Sequence, residues 1–418
     1  MEEWKEYRLG DVLCNKGYIR GPFGSALKRG DLLCEGIPVY EQQHAIYNKR
    51  DFRFYISEDK YNEMKRFTVY PDDIIISCSG TVGEVSLIKK NDPKGIISQA
   101  LLLLRVDNKI ISPEFLLYFF KTAKGHNSIT SRSSGSVQVN IARREVIEDI
   151  PLFIPCIEKQ KRIVSILKSL DDKIEVNRKT NENLEQEAQA LFKSWFIDFE
   201  PFKNGEFVES ELGMIPKGWR VCRADEVFDI NIGKTPPRKE PEWFTKNTSD
   251  NIWVSIADMG SCGMFVSESS EYLTNEAINR FNILMVDEGS VLLSFKLTVG
   301  RVAIADTRLT TNEAIARFQL PRSYYREFLY LYLKQYKYGN LGSTSSIATA
   351  VNSKTIKGMK LITPPEEVIS CFSKHTKPLF DKIKVLSQES RRLAELRDTL
   401  LPKLMSGELK VNEIENVL

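Results

Sequence analysis

Two patterns of hydrophobic and polar positions run along this chain, and each occurs twice. From residue 158 to 195 there is no Gly or Pro, and Ile163, Leu167, Leu170, Ile174, Asn177, Asn181, Leu184, Ala188, Leu191 and Trp195 recur at alternating spacings of four and three. That is a heptad seam and predicts a long helix, roughly 55 Å at about 1.5 Å per residue. A second seam, Phe372, Thr376, Leu379, Ile383, Leu386, Ser390, Leu393, Arg397, Leu400 and Leu404, lies 209 residues after the first at every position. Pro378 predicts a kink, or a helix that starts properly just after it, and Pro402 a break near the end. Neither helix can leave its apolar stripe in water. Each could cover its own domain, but the shared register favours packing against each other. Asn177, Asn181, Ser390 and Arg397 would then fix register and orientation. A pseudo-twofold axis exchanging two copies makes the pair antiparallel, with a domain at each end of the rod.

The remaining sequence reads as short alternating runs between turn residues. Strands are expected over 73–77, 84–88 and 96–106, and a helix over 113–124 with Ser112 as N-cap and Pro113 at its first position. Residues 205–363 repeat this grammar. Ser77…Thr81-Val82-Gly83…Val85 is echoed by Ser294…Thr298-Val299-Gly300…Val302 at an offset of 217. Val139-Asn140 recurs as Val351-Asn352 at 212, and Asp172-Lys173-Ile174 as Asp381-Lys382-Ile383 at 209. A slowly falling offset is one duplicated unit with small deletions. Its length is that of a domain plus a connector, too long for a solenoid repeat. The expected architecture is α+β: mixed α/β domains at 1–155 and 205–363, long antiparallel coiled-coil helices at 156–200 and 364–406, and a loose tail at 407–418. Two similar domains suit a target with two halves.

Composition narrows the class. Of 418 residues, 42% are hydrophobic and 28% charged, as in ordinary globular chains. No apolar run approaches the roughly 18 residues of a membrane span, and Met1-Glu2-Glu3-Trp4-Lys5 has no signal-peptide core. Seven scattered cysteines with no C-x-x-C pair favour reduced thiols in a cytoplasm. Residues 1–155 carry 22 Lys+Arg against 20 Asp+Glu, and 205–363 carry 19 against 18. A chain that grips DNA alone is usually more basic, so either the charge is segregated onto faces or partners supply part of the DNA affinity.

The catalytic inventory is mostly negative. His44, His126 and His375 form no metal-ligand spacing, so no metal is expected. Gly233-Lys234-Thr235 resembles the end of a phosphate-binding loop, but Phe228 stands where its first Gly is required and Pro236 interrupts the following helix. No Asn/Asp-Pro-Pro-aromatic motif for a flipped adenine is found. Asp72-Asp73 reads as a turn before a strand rather than as nuclease carboxylates. What remains is a set of polar, Gly-punctuated loops. In the first copy they hold Phe23, Ser25, Lys28 and Arg29, then Gln42, Gln43 and His44, then Ser79 and Thr81, then Arg132 and Ser134. In the second they hold Lys234, Thr235, Arg238 and Lys239, then Asp258, then Lys296 and Thr298, then Ser343 and Ser345. Each could be an ordinary solvated loop. As a repeated set they are candidate DNA contacts, the cations mainly on phosphates and the Gln, Asn, Ser and Arg side chains on bases.

In order and spacing the chain resembles the specificity subunits of type I restriction-modification systems (HsdS). The resemblance rests on Trp4…Leu9-Gly10-Asp11 and Ile215-Pro216-Lys217-Gly218-Trp219, on Gly21-Pro22-Phe23-Gly24-Ser25, Gly36-Ile37-Pro38-Val39 and Gly233-Lys234-Thr235-Pro236, on both Thr-Val-Gly runs, on Pro155…Glu158-Lys159-Gln160 and on both long helices. It covers essentially the full length. The second copy departs at Pro365-Glu366-Glu367-Val368, which lacks a Gln at the position of Gln160, and at Pro378. The resemblance implies two target recognition domains reading the halves of a split, asymmetric site on double-stranded DNA, with the helices as a ruler. It implies docking of two methyltransferase subunits that bring S-adenosylmethionine and methylate adenine N6, and of translocase-nuclease subunits, with no cofactor, catalysis or membrane in this chain. The rivals are a self-contained restriction or modification enzyme, which would carry methylase or nuclease motifs, and a coiled-coil scaffold with no DNA role.

Overall fold

A computed structural model describes residues 4–130, 141, 143–340 and 351–411. The chain forms two compact units, Met1–Lys173 with Leu393–Leu418, and Ile174–Arg392.

In the first unit, Ile74–Ser77 is an inner strand of an antiparallel sheet ordered Leu13–Arg20, Leu101–Val106, Ile74–Ser77, Val85–Leu87. Its unbroken apolar run is explained by burial on both faces. Ile74, Ile76, Leu102 and Leu104 pack with Phe115, Leu116, Ile163 and Leu167, while Ile75, Leu101 and Leu103 pack with Tyr40, Ala45 and Val69. The single strand expected over 96–106 is two. Leu101 N–H donates to Ser98 O at 3.1 Å, turning the chain, and Ile96–Ile97 pairs in parallel with Val39 and Tyr40 in a separate three-stranded sheet. The expected helix also divides. Pro113–Lys121 starts at the Ser112 cap, then Thr122 Oγ1 accepts the Gly125 N–H at 2.9 Å and opens a second helix, Ala123–Thr130. Lys5–Arg8 pairs with Pro151–Ile154, bringing both ends of the domain to the start of the long helix Ile157–Phe196.

The second unit repeats this plan. Arg220–Arg223 pairs with Lys360–Thr363 as its closing strands. A five-stranded sheet runs Asp229–Ile232, Ile315–Gln319, Val291–Ser294, Val302–Ala305, Phe265–Val266. The small parallel pairing recurs as Trp253↔Thr310, the counterpart of Val39↔Ile96. A hairpin, Phe207–Ser210 with Gly213–Pro216, precedes the closing strand of this copy.

Both long helices contribute to each unit. In the second, Asn177 Nδ2 donates to Glu389 Oε2 at 2.8 Å and to Ser390 Oγ at 3.3 Å, and Asn181 Nδ2 to Ser387 Oγ at 3.1 Å. Phe192 and Phe196 meet Phe372. Rising numbers on one helix meet falling numbers on the other, so the two run antiparallel. In the first unit Arg397 bonds Asp171, and Leu401 and Leu404 join the domain core beside Ile163 and Leu167.

Three further expectations need correcting. The second helix, Glu366–Ser406, starts before Pro378 and continues past Pro402 without a break. Each proline removes one amide donor, but Phe372, Phe380, Ile383 and Leu404 stay buried around them and hold the helix. The seam drifts in the first helix: Ile163, Leu167 and Leu170 are buried and Ile174 and Leu184 half-buried, but past Ala188 the buried positions are Phe192 and Phe196 rather than Leu191 and Trp195. A straight helix drifts from a strict heptad, and the aromatic core of the second domain takes the adjacent stripe. On the second helix Ile383 and Leu386 are buried, while Leu379, Leu393 and Leu400 are half-buried. The tail is not loose at its start, because Leu409 packs on the first domain's core and Val411 is part of it.

Candidate nucleic-acid interface

The repeated Ser…Thr-Val-Gly run builds the same loop in both copies. Ser77 Oγ donates to Thr81 O at 2.6 Å and accepts the Glu84 N–H at 3.0 Å, while Gly83 N–H reaches Ser77 O at 3.0 Å. In the second copy Ser294 Oγ donates to Thr298 O at 2.6 Å and accepts the Arg301 N–H at 3.0 Å, and Gly300 N–H reaches Ser294 O at 3.0 Å. Gly83 and Gly300 have φ of 92° and 94°, which side-chain-bearing residues rarely adopt. A buried serine therefore braces a turn whose tip, Thr81 or Thr298, is exposed.

The tips differ. Gly80 has φ 64°, and its counterpart Leu297 has φ 60° and is 99% exposed. Thr298 N–H donates to Lys296 O at 2.7 Å, closing a γ-turn around the leucine. A left-handed conformation costs a non-glycine residue about 1–2 kcal/mol. Sequence reasoning chose Lys296 and Thr298 and passed over Leu297. The available signal was the Gly80-to-Leu297 mismatch inside an otherwise matched motif.

In the first copy Phe23 is 67% exposed, with the Arg20 guanidinium 5.6 Å from its ring centroid. Lys28 and Arg29 are exposed beside it, and Ser25 sits in the helical turn Gly24–Ala26. Gln42 and Gln43 open a short helix, Gln42–Ile46. The Gln42 amide lies next to Gly80, so this helix meets the Ser79–Thr81 loop, while Gln43 Nε2 donates to Asp51 O at 3.4 Å. His44 is a framework group instead. It is buried, Nδ1 accepts the Glu41 N–H at 2.7 Å and Nε2 donates to Asp51 O at 3.0 Å. The ring stacks on Phe52, burial lowers its pKa, and no ring nitrogen is left for a base. Arg132 and Ser134 lie outside the described residues. Asp73, before its strand, is buried, takes 2.8 and 2.7 Å bonds from Arg105 and accepts the Tyr70 N–H. Burial raises its pKa, and its bonding role is that of a turn brace.

In the second copy Gly233, Lys234, Thr235, Pro236, Arg238, Phe281 and Glu313 line an open cleft of about 560 Å³. Three candidate contacts meet there. Lys234 Nζ donates to Phe281 O and Asn282 O, each at 3.1 Å, which occupies the cation a phosphate loop would offer. Thr235 Oγ1 bonds Glu313. Arg238 lies 4.2 Å from the Phe244 ring centroid and 4.6 Å from that of Trp253, and donates to Glu271 at 2.8 Å. Lys239 is exposed next to it. Asp258 is mostly buried, accepting from Ser255 N–H at 2.8 Å, Ser255 Oγ at 2.6 Å and Ser270 N–H at 2.9 Å. Burial would raise its pKa, but these donors outweigh it and hold the carboxyl low, so it shapes the loop from beneath. Ser343 and Ser345 lie outside the described residues.

Known proteins match this arrangement. Residues 1–186 and 216–383 fit the family described as "Type I restriction modification DNA specificity domain". The chain is 26% identical, over 98% of its length and all of the relative, to the type I restriction enzyme HindI specificity subunit of Haemophilus influenzae. It is 32% identical, over 72% of its length and 70% of the relative, to the MjaIX specificity subunit of Methanocaldococcus jannaschii. The solved type-I restriction-modification S subunit from M. genitalium shares its fold, with a TM-score of 0.54 at 15% identity over 96% of both chains.

Proposed function

We propose that this chain, which belongs to the type I restriction-modification DNA specificity family, reads a split, asymmetric double-stranded DNA site through its two domains. Each recognition domain engages one half-site, and the antiparallel helix pair sets the gap. Half-sites on one face of DNA lie about 34 Å apart per helical turn, a spacing suited to helices of this length. The chain does no chemistry itself. It docks two methyltransferase subunits, which bring S-adenosylmethionine and methylate adenine N6, and through them translocase-nuclease subunits. It acts in the cytoplasm, and no helix among the described residues is long and apolar enough to cross a membrane.

The observation that carries this reading is a duplicated framework with unlike tips. Ser77 and Ser294 brace the same loop, yet Gly80 stands in one copy and Leu297 in the other. Two domains with one fold and different contact loops suit two different half-sites. The near-neutral charge of each domain fits a reader that shares its DNA grip with partners. To test it, the chain is co-expressed with its methyltransferase partner and modified adenines are mapped across the host genome. A gapped, two-part, non-palindromic motif is expected. A competent partner yielding no new motif would overturn the reading, and methylation by the purified chain alone would favour a self-contained enzyme.

A further inference from the structure

We propose that Leu297 reads a thymine in the half-site engaged by the second domain, packing its side chain on the C5-methyl group in the major groove. The inference rests on the DNA-reading function above.

Leu297 is 99% exposed with φ 60°, in a γ-turn closed by Thr298 N–H on Lys296 O. The first copy has Gly80 at φ 64° in the same position. The positive φ therefore belongs to both copies of the loop, and the second places a leucine side chain on it. That addition strains the turn and leaves an aliphatic group in water, so folding gains nothing from it. The turn is also rigid, since the buried Ser294 hydroxyl bonds both Thr298 O and Arg301 N–H. A strained apolar tip on a braced turn is a pre-organised contact.

The partner follows from the asymmetry. Two identical methyltransferase subunits would meet both repeats alike, and a residue present in one repeat does not suit them. A half-site differs between repeats. Exposed Lys296 and Thr298 flank the leucine, a cation for phosphate and a hydroxyl for a base edge. Among base edges in the major groove, thymine's methyl is the apolar feature such a side chain can contact.

The complex of this chain with its methyltransferase partner is titrated with duplexes of the mapped target in which each thymine of the second half-site is replaced by uracil. One replacement should weaken wild-type binding about fourfold to tenfold. L297G should bind the unmodified duplex more weakly by a similar factor and ignore that replacement, while melting no lower than wild type because glycine relieves the turn. L297M should keep the thymine preference. Wild-type-like binding by L297G, indifference of the wild type to every uracil, or a second half-site with no A·T pair would each overturn the proposal. So would 2-aminopurine fluorescence reporting unstacking beside Leu297 with no uracil effect, which would make it a wedge between bases. If the wild-type complex binds no gapped site at all, the DNA-reading function fails, a result distinct from all of these.

Discussion

Arg397 Nη1 donates to Asp171 Oδ1 at 2.8 Å, while Tyr118 Oη donates to Asp171 Oδ2 at 2.8 Å. One carboxylate thus ties both long helices to the first recognition domain. Burial would raise the Asp171 pKa, but Lys121, Arg397 and Tyr118 outweigh it and hold the carboxyl below its usual range. R397A should cost about 1–2 kcal/mol. The sign of the pH dependence follows from the lowered pKa. The contribution is complete above the ordinary aspartate value, about 3.9, and is lost as pH falls through the lower folded-state value. Melting curves of wild type and R397A should therefore converge in acid. A gap that stays constant down to the most acid pH at which both fold would show that the ion pair is not its source.

Ser77 and Ser294 are both fully buried, and each hydroxyl makes two bonds inside its loop. S77A or S294A should cost about 1–3 kcal/mol by denaturant unfolding, because a backbone donor and acceptor lose their partner. Each variant should loosen the motif on its own side. S77A should relax preference in the first half-site and S294A in the second, as read by genomic adenine mapping. Equal relaxation in both would refute separate reading by the two domains.

Lys239 and Lys234 should behave differently despite equal charge. Lys239 is exposed, so K239A should weaken binding to all sequences and reduce the slope of log affinity against log salt by about 0.9 if it contacts one phosphate. The Lys234 ammonium is already held by two carbonyls at 3.1 Å. K234A should lower loop stability and leave the salt slope nearly unchanged. Salt titrations of the complex distinguish the two.

Inserting one matched heptad into both long helices should lengthen the pair by about 10 Å, or about three base pairs. The mapped motif should keep both half-sites and gain spacer. Altered half-sites with an unchanged spacer would eliminate the ruler.

The helices were legible because an amphipathic repeat is local. The seam beginning Ile163, Leu167, Leu170 predicted buried positions that stand buried, and Asn177 and Ser390 predicted a register contact that forms. The Thr-Val-Gly echo was equally legible, since the left-handed φ of Gly83 and Gly300 is demanded by one turn within a few residues. The shift from Leu191 to Phe192 was not, because it depends on Phe328 and Phe372, far away in sequence.

By itself the sequence determined the duplication, the two helices with their common register and the α+β layout, all of which follow from periodicity and Gly/Pro punctuation along the chain. Tertiary structure decided which polar loop residues face solvent. His44 and Asp258 read as DNA contacts in sequence, yet their polar atoms are consumed by Glu41 and Asp51, and by Ser255 and Ser270. Leu297 carries no signal of its own in the sequence, yet it stands fully exposed. Whether a side chain is buried is fixed by what packs opposite it, and only the folded chain supplies that partner.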